Sequence, residues 1–402
     1  MIYEPSNIVL FKEKAQVWAS SFSTVCIFDS NNYNDPFGSI SLMIAVGDTS
    51  EFQSDNLQSF GSLQDFINQH SEEIIPGYLT YDLKAYFFVP EYLLTFEKSK
   101  VKIKATDPLS IISAIELIEI KKETINFQGT IKNRMSRQEY GIAFQKLQEH
   151  IHKGDIYEIN LCQEFYSEDA KLNCFAAYKE LNFISPTPFS CFLKHDNNFI
   201  ISASPERFLS KRGERLISQP IKGTAPRGKT PEEDNEIKNR LKNDPKEISE
   251  NIMIVDLVRN DLTRSAKAGT VKVEELLGVY SFKQVHQLIS TISCIIKPEV
   301  EATTAIQNTF PPGSMTGAPK ISAMNLIDQY EKGSRGLYAG SIGYFNGRNE
   351  FDFNVVIRTL VYNAKTNYLS FHVGGAITAY ANENDEYQEC LLKASAINKL
   401  LS

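Results

Sequence analysis

Residues 336–377, "GLYAGSIGYFNGRNEFDFNVVIRTLVYNAKTNYLSFHVGGAI", decide the fold that this sequence predicts. Apolar and aromatic residues alternate with polar ones through much of the stretch, which is typical of strands with one buried face. Two asparagine-containing segments, "NGRN" and "NAKTN", separate these runs and suit tight turns between antiparallel strands. The stretch therefore predicts a meander of three antiparallel strands.

The rest of the chain favours an α+β fold. Short β-type runs such as "STVCIF" and "SISLMIAVG" occupy the first third, and helical segments follow. In "SRQEYGIAFQKLQEHIHKGDI", Ser136 is a predicted N-cap that forms a capping box with Glu139, and Gly154 marks the helix end. In "TPEEDNEI", Thr230 and Glu233 predict a second capping box. Strands and helices come in clusters without βαβ alternation, so mostly antiparallel sheets are predicted.

The composition is that of an ordinary globular protein. The chain has 402 residues, of which 42% are hydrophobic and 23% charged, so it can bury a sizeable core. Its net charge of −7 is spread over mixed acidic and basic residues, which argues against a nucleic-acid partner. Six cysteines without CxxC spacing are typical of a reducing compartment. There is no signal-peptide layout and no apolar run long enough to span a membrane. We therefore expect a soluble, cytoplasmic protein.

Carboxylates occur on two segments with helical periodicity. In "EISENIMIVDLVRNDLTRS", Glu250 and Asp261 share one face of a helix whose apolar residues point in nearly every direction. A carboxylate on such a buried helix has to be paired, hydrogen-bonded or bound to a metal. A salt bridge to an internal arginine such as Arg259 and a ligand site both remain open.

The second carboxylate segment is "NDEYQECLLK", at the start of a helix predicted over 386–401. Glu386 and Glu389 lie on one face, with Lys393 one turn beyond. By itself this is best interpreted as a solvated face with an ordinary Glu–Lys pair. Two helices that offer carboxylates to one cleft would, however, suit Mg²⁺, which takes a few protein oxygens and keeps the rest of its shell for water or substrate.

A strand pair connects two further candidates. "FISASPERFLSKRGERLISQP" predicts two strands around a turn at Arg212 and Gly213. This hairpin would bring Glu206 close to Lys222 of the following "PIKGTAPRG". A surface charge and a covalent catalyst are equally consistent with this lysine at the level of the loop alone.

Arg358 stands in "FDFNVVIRTL", where strand alternation places it on the same face as Asp352. It is interpreted either as a structural ion pair with Asp352 or Glu350, or as a fork for a substrate carboxylate. Gly374 and Gly375, one strand later, would let a ligand approach backbone N–H groups closely.

The loop "FPPGSMTGAPK", residues 310–320, contains proline, glycine and small hydroxyl residues and leads into a helix. The hydroxyls of Ser314 and Thr316, with neighbouring N–H groups, could hold an anionic oxygen. A plain connecting loop is the default interpretation of this stretch alone.

The motifs taken together, in order, resemble a known family. "SASPERF", "PIKGTAPRG", "ENIMIVDLVRNDL", "FPPGSMTGAPK", "IRTL", "GGAI" and "DEYQECLLKA" are similar to the motifs of the chorismate-utilising enzymes. The resemblance implies a large intertwined αββα-type sandwich of mostly antiparallel sheets with outer helices. It also implies a chorismate-binding catalytic domain over residues 131–402. Residues 1–130 resemble the more variable N-terminal region of anthranilate synthase component I.

The resemblance implies a Mg²⁺ site and a polar cradle for chorismate. Glu250, Glu386 and Glu389 match the family's acidic Mg²⁺ ligands, and the metal would hold the ring carboxylate. Arg358, with backbone N–H groups around Gly374 and Gly375, matches the clamp on the second carboxylate.

Two further matches concern the chemistry at C4 of the ring. Glu206 matches the general acid that protonates the departing C4 hydroxyl. Thr224 lies where the family contacts substrate or orients this acid.

Lys222 separates the members of the family. Anthranilate and isochorismate synthases usually have alanine in this "PIxGT" position, whereas members that aminate C4 have lysine. The resemblance implies that this amine adds at C2 as the C4 hydroxyl leaves, and that ammonia then attacks C4 and expels the lysine. A lysine attacks only as the free amine, so we expect burial and a nearby cation to lower the pKa of Lys222.

Two positions depart from the family pattern. Glu158 stands in "IYEINLCQ", where relatives often have glutamine or lysine, and an acid there argues against water addition at C2. In "QVHQLIS" the family's histidine position holds Gln287, and His286 comes one residue earlier. Because one residue redirects a side chain, His286 is interpreted as a structural histidine.

The source of ammonia is expected to be another chain. No cysteine of this sequence stands in a glutaminase nucleophile motif, and no lyase domain is expected after "DEYQECLLKA". The resemblance therefore implies a separate glutamine amidotransferase subunit as partner and a place in folate biosynthesis. Anthranilate synthase component I and a non-catalytic chorismate-binding subunit remain the alternatives.

Overall fold

The computed structural model describes residues 1–38, 40–58, 60–347 and 349–402. The strands are β1 (Ile2–Tyr3), β2 (Thr24–Asp29), β3 (Leu42–Val46), β4 (Ser50–Ser54), β5 (Ile75–Leu79), β6 (Ala85–Val89), β7 (Tyr92–Glu97), β8 (Lys100–Lys104), β9 (Lys132–Asn133), β10 (Glu158–Ser167), β11 (Phe189–His195), β12 (Asn198–Ser204), β13 (Arg207–Arg212), β14 (Arg215–Gln219), β15 (Ile221–Pro226), β16 (Lys272–Ser281), β17 (Val285–Ile295), β18 (Gly317–Ala318), β19 (Ser341–Asn346), β20 (Glu350–Asn354), β21 (Thr359–Asn363) and β22 (Tyr368–Thr378).

The helices follow the same chain order. They are α1 (Ile8–Ser20), α2 (Gly61–Gln69), α3 (Pro108–Glu116), α4 (Arg137–Lys153), α5 (Cys174–Ile184), α6 (Pro231–Asn243), α7 (Pro245–Thr263), α8 (Ala302–Thr309), α9 (Lys320–Tyr330), α10 (Glu383–Lys393) and α11 (Ser395–Leu400), with one 3₁₀ turn at Gly313–Met315. Within the described part of the chain, no helix is both long and apolar enough to cross a membrane.

Two large antiparallel sheets form the centre of the molecule. The first follows the order β1-β8-β7-β3-β2-β11-β12-β21-β22-β10-β18, with β9 also paired to β10. The second follows β15-β17-β14-β13-β20-β19-β5-β6-β4, with β16 also paired to β17. Strands from the first 130 residues take part in both, since β2 pairs with β11 and β5 pairs with β19. The two parts of the sequence are therefore joined by continuous ladders.

The layers follow from the two faces of each strand. In β2, Val25 and Ile27 pack with α1, α3 and α5, whereas Cys26 between them packs with residues of the second sheet such as Tyr86. This alternation is what a strand buried on both faces requires. The outer face of the second sheet packs against α2, α7 and α8. The predicted α+β sandwich, with antiparallel sheets inside and helices outside, is confirmed.

The meander predicted over 336–377 is wrong in one respect. The segment forms four strands, and they are divided between the sheets: β19 and β20 pair in the second sheet, whereas β21 and β22 pair in the first. The chain passes from one sheet to the other through residues 355–358. The first turn, "NGRN", includes position 348, which lies outside the described residues, and "NAKTN" connects β21 to β22 as predicted.

The predicted helix caps are mostly confirmed. Ser136 and Glu139 form the reciprocal capping box of α4, and Gly154 ends that helix in the left-handed conformation at φ 83°. Thr230 caps α6 by accepting the Glu233 N–H, but the Glu233 carboxylate accepts from the N–H of the preceding residue 229. The C-terminal helix is interrupted, because α10 and α11 meet at residue 394.

Candidate active site

Most of the site residues predicted from the sequence line one cavity. It lies where β10 and β22 of the first sheet face β15, α7 and α10. Nine of the eleven predicted site residues line it: Glu206, Lys222, Thr224, Glu250, Ser314, Arg358, Gly374, Glu386 and Glu389. The other two, Thr316 and Gly375, are adjacent in the chain to the lining residues Met315 and Gly374. Because seven separate segments contribute to this set, the cavity is assembled only by the tertiary fold.

Glu206 is a buried acid poised near neutral pH. It is 3% exposed, and its Oε1 accepts a hydrogen bond of 2.5 Å from the Ser314 hydroxyl. Burial raises the pKa of Glu206 to about 7, although Ser314 and the nearby cations Lys222 and Arg358 oppose the shift. A carboxyl with such a pKa can give up or take a proton at physiological pH.

Lys222 is paired with a carboxylate that the sequence analysis did not link to it. Its Nζ lies 2.5 Å from Oε1 of Glu158, and the side chains are 10% and 1% exposed. Burial acts to lower the pKa of Lys222, but the surrounding carboxylates, Glu158 first among them, outweigh burial and raise it. The lowered pKa expected from the sequence is therefore not what this environment produces. Lys222 is an ammonium ion in a buried pair.

Arg358 is a guanidinium without a side-chain partner among the described residues. It follows β20 at a φ of 51°, a left-handed conformation that is uncommon for a residue other than glycine. Burial lowers the pKa of Arg358 to about 10, with Glu206 opposing the shift. The side chain lines the cavity, where it can receive an anion.

The ion-pair alternative for Arg358 is wrong. Asp352 instead pairs with Arg207 at 2.9 Å and with Arg212 at 2.7 Å, both from β13. The strand ends at residue 354, so the alternation that placed Arg358 and Asp352 on one face does not extend to Arg358. Glu350 accepts from the N–H of Gly213 and is likewise engaged elsewhere.

Two helices bring an acidic cluster to the cavity, as the sequence predicted. Glu250 of α7 is 6% exposed and Glu386 of α10 is 2% exposed. Burial raises the pKa of Glu250 to about 8, and Oε1 of Glu250 has no hydrogen-bond partner among the described residues. The ammonium of Lys246 lies 2.7 Å from Glu386 and 3.8 Å from Glu250. Glu389, on the same face of α10, pairs with Lys393 at 2.8 Å.

The donor set of this cluster fits a hard divalent cation. All its ligating atoms are carboxylate oxygens, which Mg²⁺ prefers, and the unpartnered oxygen of Glu250 is available to a cation. Within the residues the structure describes, no three acidic, histidine or cysteine side chains are already grouped at metal-binding spacing. A cation that bound Glu250 and Glu386 would take over the role that the Lys246 ammonium has between them.

The remainder of α7 is structural. Asp261, predicted to share a face with Glu250, lies outside the cavity and pairs with Lys320 at 2.8 Å. The suggested partner Arg259 pairs with the exposed Asp256 instead. The salt-bridge interpretation is therefore correct for Asp261, with a different partner, whereas Glu250 has a longer contact of 3.8 Å with Lys246 and none with Arg259 among the described residues.

The 310–320 loop positions Glu206 and does not form a separate anion site from the Ser314 and Thr316 hydroxyls. Ser314 donates its hydroxyl to Glu206, whereas the Thr316 hydroxyl donates to the carbonyl of Gly313 and is fully buried. At Gly374 an added Cβ would lie 2.9 Å from the carbonyl oxygen of Leu161, so only glycine fits between β22 and β10.

His286 has the environment of a structural histidine. It is fully buried, its Nε2 lies 2.8 Å from Asp234 and its Nδ1 lies 2.9 Å from the Ser281 hydroxyl. It does not line the cavity, whereas Gln287 does and donates from Nε2 to Thr224 at 3.4 Å. Because His286 comes one residue before the family's histidine position, the amide of Gln287 lies in the cavity wall where the family has a histidine.

Sequence reasoning missed several lining residues. Asn160, Tyr338 and His372 belong to the cavity wall but carried no recognisable signal, because each lies in an apolar or mixed segment that a core strand or helix would explain equally well. Lys393 also belongs to the wall, but from the sequence it was interpreted only as the partner of Glu389. Glu158 was recognised as a departure from the family pattern, but its contact with Lys222 was missed, although an acid within the strand "IYEINLCQ" requires a buried partner.

The sequence model of the chorismate binding enzyme family matches residues 23–399 of the chain. Aminodeoxychorismate synthase component 1 of Escherichia coli is 41% identical over 283 residues, which are 70% of this chain and 61% of that protein. The protein of the same description from Bacillus subtilis is 33% identical over 307 residues, 76% of this chain and 64% of that one. The chain thus spans about three fifths of the length of these relatives.

Solved structures agree on the fold. The menaquinone-specific isochorismate synthase of Escherichia coli superposes with a TM-score of 0.82 at 18% identity, covering 100% of this chain and 94% of that one. Anthranilate synthase component I of Streptococcus pneumoniae superposes with a TM-score of 0.77 at 24% identity, covering 90% and 94%. Fold, cavity and sequence match define one class: the chain belongs to the chorismate binding enzyme family.

Proposed function

We propose that this chain catalyses the Mg²⁺-dependent amination of chorismate at C4 by ammonia, giving 4-amino-4-deoxychorismate. The observation that carries the proposal is the meeting of Lys222, Glu206 and Arg358 in one cavity of a family member. The names of the relatives at 33–41% identity support the same reaction.

Substrate binding is assigned to the two charged ends of the cavity. Arg358 has no competing side-chain partner among the described residues, so its guanidinium is free to form a forked contact with a carboxylate. The acidic cluster of Glu250, Glu386 and Glu389 would hold Mg²⁺, which when bound supplies positive charge for the ring carboxylate of chorismate. These two contacts would orient the ring between them.

The chemistry at C4 is assigned to Glu206 and Lys222. Glu206, protonated below its pKa of about 7, would donate its proton to the departing C4 hydroxyl. The Lys222 amine would form a bond to C2 as the ring double bond shifts and the C4–O bond breaks. Ammonia would then attack C4, the double bond would return, and the C2–N bond to Lys222 would break.

Thr224 and Ser314 would position groups for the chemistry at C4 without donating or accepting a proton in the reaction themselves. The Ser314 hydroxyl donates to Glu206 and so holds the acid in one orientation. Thr224 lies two residues after Lys222 in β15 and lines the cavity, and its hydroxyl accepts a hydrogen bond from Gln287. Ammonia is proposed to come from a separate glutamine amidotransferase subunit.

The test is product identity. The purified chain is incubated with chorismate, Mg²⁺ and ¹⁵N-ammonium, and the product is identified by mass and by the ring position of the label. We expect 4-amino-4-deoxychorismate, and none from Lys222→Ala. Lys211→Met serves as a matched control, because Lys211 is a buried lysine outside the cavity whose Nζ donates to the backbone carbonyl of Asn349.

Other outcomes of this experiment have definite meanings. Anthranilate or isochorismate as product contradicts the proposal, and so does tight chorismate binding without turnover. Loss of product in Lys222→Ala, with no covalent adduct ever found in the wild-type chain, would limit Lys222 to an electrostatic role.

A further inference from the structure

The pair between Glu158 and Lys222 is more deeply buried than the two other Glu–Lys pairs at the cavity, Glu386–Lys246 and Glu389–Lys393. Glu158 begins β10, where its backbone pairs on one side with Thr378 of β22 and on the other with Ala318 of β18. Its Oε1 contacts the Lys222 ammonium, while its Oε2 is buried and has no hydrogen-bond partner among the described residues. A buried carboxylate with one unpaired oxygen is costly for the fold.

This pair raises a question for the proposed reaction. Lys222 can attack carbon only after its ammonium has lost a proton, and the group in contact with that ammonium is the carboxylate of Glu158. The charged groups that act on Lys222 come from four places in the fold. They are Glu158 in β10, Glu206 immediately before β13, Glu250 in α7, and Glu389 and Lys393 in α10.

Only one of these groups is free to accept the proton. Glu206 has to carry its own proton for the departing hydroxyl, and the carboxylates on α7 and α10 are assigned to Mg²⁺. Lys393 is a cation. Glu158 alone lies within hydrogen-bond distance of the Lys222 nitrogen.

We propose that Glu158 is a further catalytic residue, which takes the proton of the Lys222 ammonium as the amine attacks C2 and returns it when the amine is expelled. The inference rests on the proposed function, because it applies only if Lys222 bonds to the substrate.

The protons and electron pairs balance in each step. The Lys222 N–H bond breaks as Oε1 of Glu158 gains the proton, and the freed electron pair forms the bond to C2. The two conjugated ring double bonds shift towards C4, the C4–O bond breaks as its oxygen takes the proton of Glu206, and water leaves. Ammonia then forms the C4–N bond, the double bonds shift back, and the electron pair of the C2–N bond returns to the lysine nitrogen. The neutral amine recovers its proton from Glu158, and Glu206 recovers its own from an ammonium ion that becomes ammonia, so no external oxidant or reductant is needed.

The geometry also explains why the proton stays near the amine. An ammonium and a carboxylate in direct contact can pass a proton from one to the other while the total charge of the pair remains constant. The rate should therefore be independent of external pH over the range in which Glu206 is protonated. A chain without this acceptor would have to release the proton to solvent before each turnover.

The experiment compares wild type with Glu158→Gln at saturating chorismate, Mg²⁺ and ammonium. Gln preserves the shape of the side chain but cannot accept the proton. We expect kcat to fall about 100-fold at pH 7 with KM for chorismate changed less than about threefold, as for the loss of a general base. We also expect kcat of the variant to rise about tenfold per pH unit between pH 5.5 and 6.5, where wild type is flat.

The matched control is Asp261→Asn, which removes the carboxylate of another buried lysine pair, that with Lys320, outside the cavity. It is expected to lose stability and to keep the flat profile. If Glu158→Gln does not fold, Glu158→Asp replaces it, and a flat profile with a reduced rate is expected because the carboxylate remains.

A wild-type rate and a flat profile in Glu158→Gln overturn the inference, as does a rising profile in Glu158→Asp. Failure of the proposed function is recognised separately, because the wild-type chain would then not form the 4-amino product. Retention of that product by Lys222→Ala would remove the covalent role of the lysine, and with it the inference.

Discussion

Glu206→Gln tests the central electrostatic feature of the cavity, an acid whose charged form is disfavoured by burial. The pKa of Glu206 is raised from the ordinary value of 4.5 to about 7. Below pH 4.5 the carboxyl is protonated in the folded and the unfolded chain alike, and the shift has no effect. Between pH 4.5 and 7 the unfolded chain ionises while the folded chain does not, so stability decreases as pH rises.

The size of this effect follows from the shift. A difference of about 2.5 pKa units at about 1.4 kcal/mol per unit amounts to about 3 kcal/mol of stability lost by pH 8. Gln carries no charge and can still accept from the Ser314 hydroxyl. The free energy of unfolding of Glu206→Gln, relative to wild type, should therefore grow by about 2–3 kcal/mol between pH 5 and pH 8.

The assay is urea unfolding without Mg²⁺ or substrate, followed by the fluorescence of Trp18, the single tryptophan of the chain, which is 8% exposed. Asp256→Asn, which removes an exposed carboxylate of α7, is the control and should show no such growth. A difference between Glu206→Gln and wild type that stays constant from pH 5 to 8 would refute the reasoning. In the ammonia assay the same variant should lose about 10²–10⁴-fold in kcat, as expected for the loss of a general acid.

Two further predictions concern the charged ends of the cavity. Arg358→Met should raise KM for chorismate about 100-fold, because a forked contact with a carboxylate is lost. The urea midpoint should be unchanged or higher, since the substitution removes no side-chain partner among the described residues. An unchanged KM would argue against the carboxylate clamp. Glu250 has a pKa of about 8 without metal, so Mg²⁺ must displace a proton. Calorimetric Mg²⁺ affinity should therefore increase up to about tenfold per pH unit between pH 6 and 8 in wild type but not in Glu250→Gln; equal pH dependence in both would exclude Glu250 as a ligand.

Local features of the chain were predictable because their causes are local. The capping box of Ser136 and Glu139, and the left-handed end at Gly154, each depend on residues within one or two helical turns. The hairpin turn at Gly213 likewise joins neighbouring segments. The ordered motifs that resemble the family hold acids, an arginine and a lysine, and nine of the residues selected from them line the cavity.

The division of residues 336–377 between two sheets was not predictable from alternation. An alternating run indicates that a strand has two different faces, but it does not identify the sheet in which the strand pairs. Here the transfer from β20 to β21 places Arg358 at the cavity in a left-handed conformation. Asp352, which looked like its partner, lies beside β13 and is paired there with Arg207.

The sequence by itself determined the fold class, the helix caps and the residues that carry charge into the site. The tertiary structure decided which charges meet. Lys222 and Glu158 are separated by β11 to β14 along the chain, yet their side chains touch because β15 and β10 belong to two sheets that face each other across the cavity. Burial of both side chains then makes each charge depend on the other, and this dependence sets the proton state of Lys222. Spacing along the chain contains no information on such a contact, because it arises from the packing of one sheet on the other.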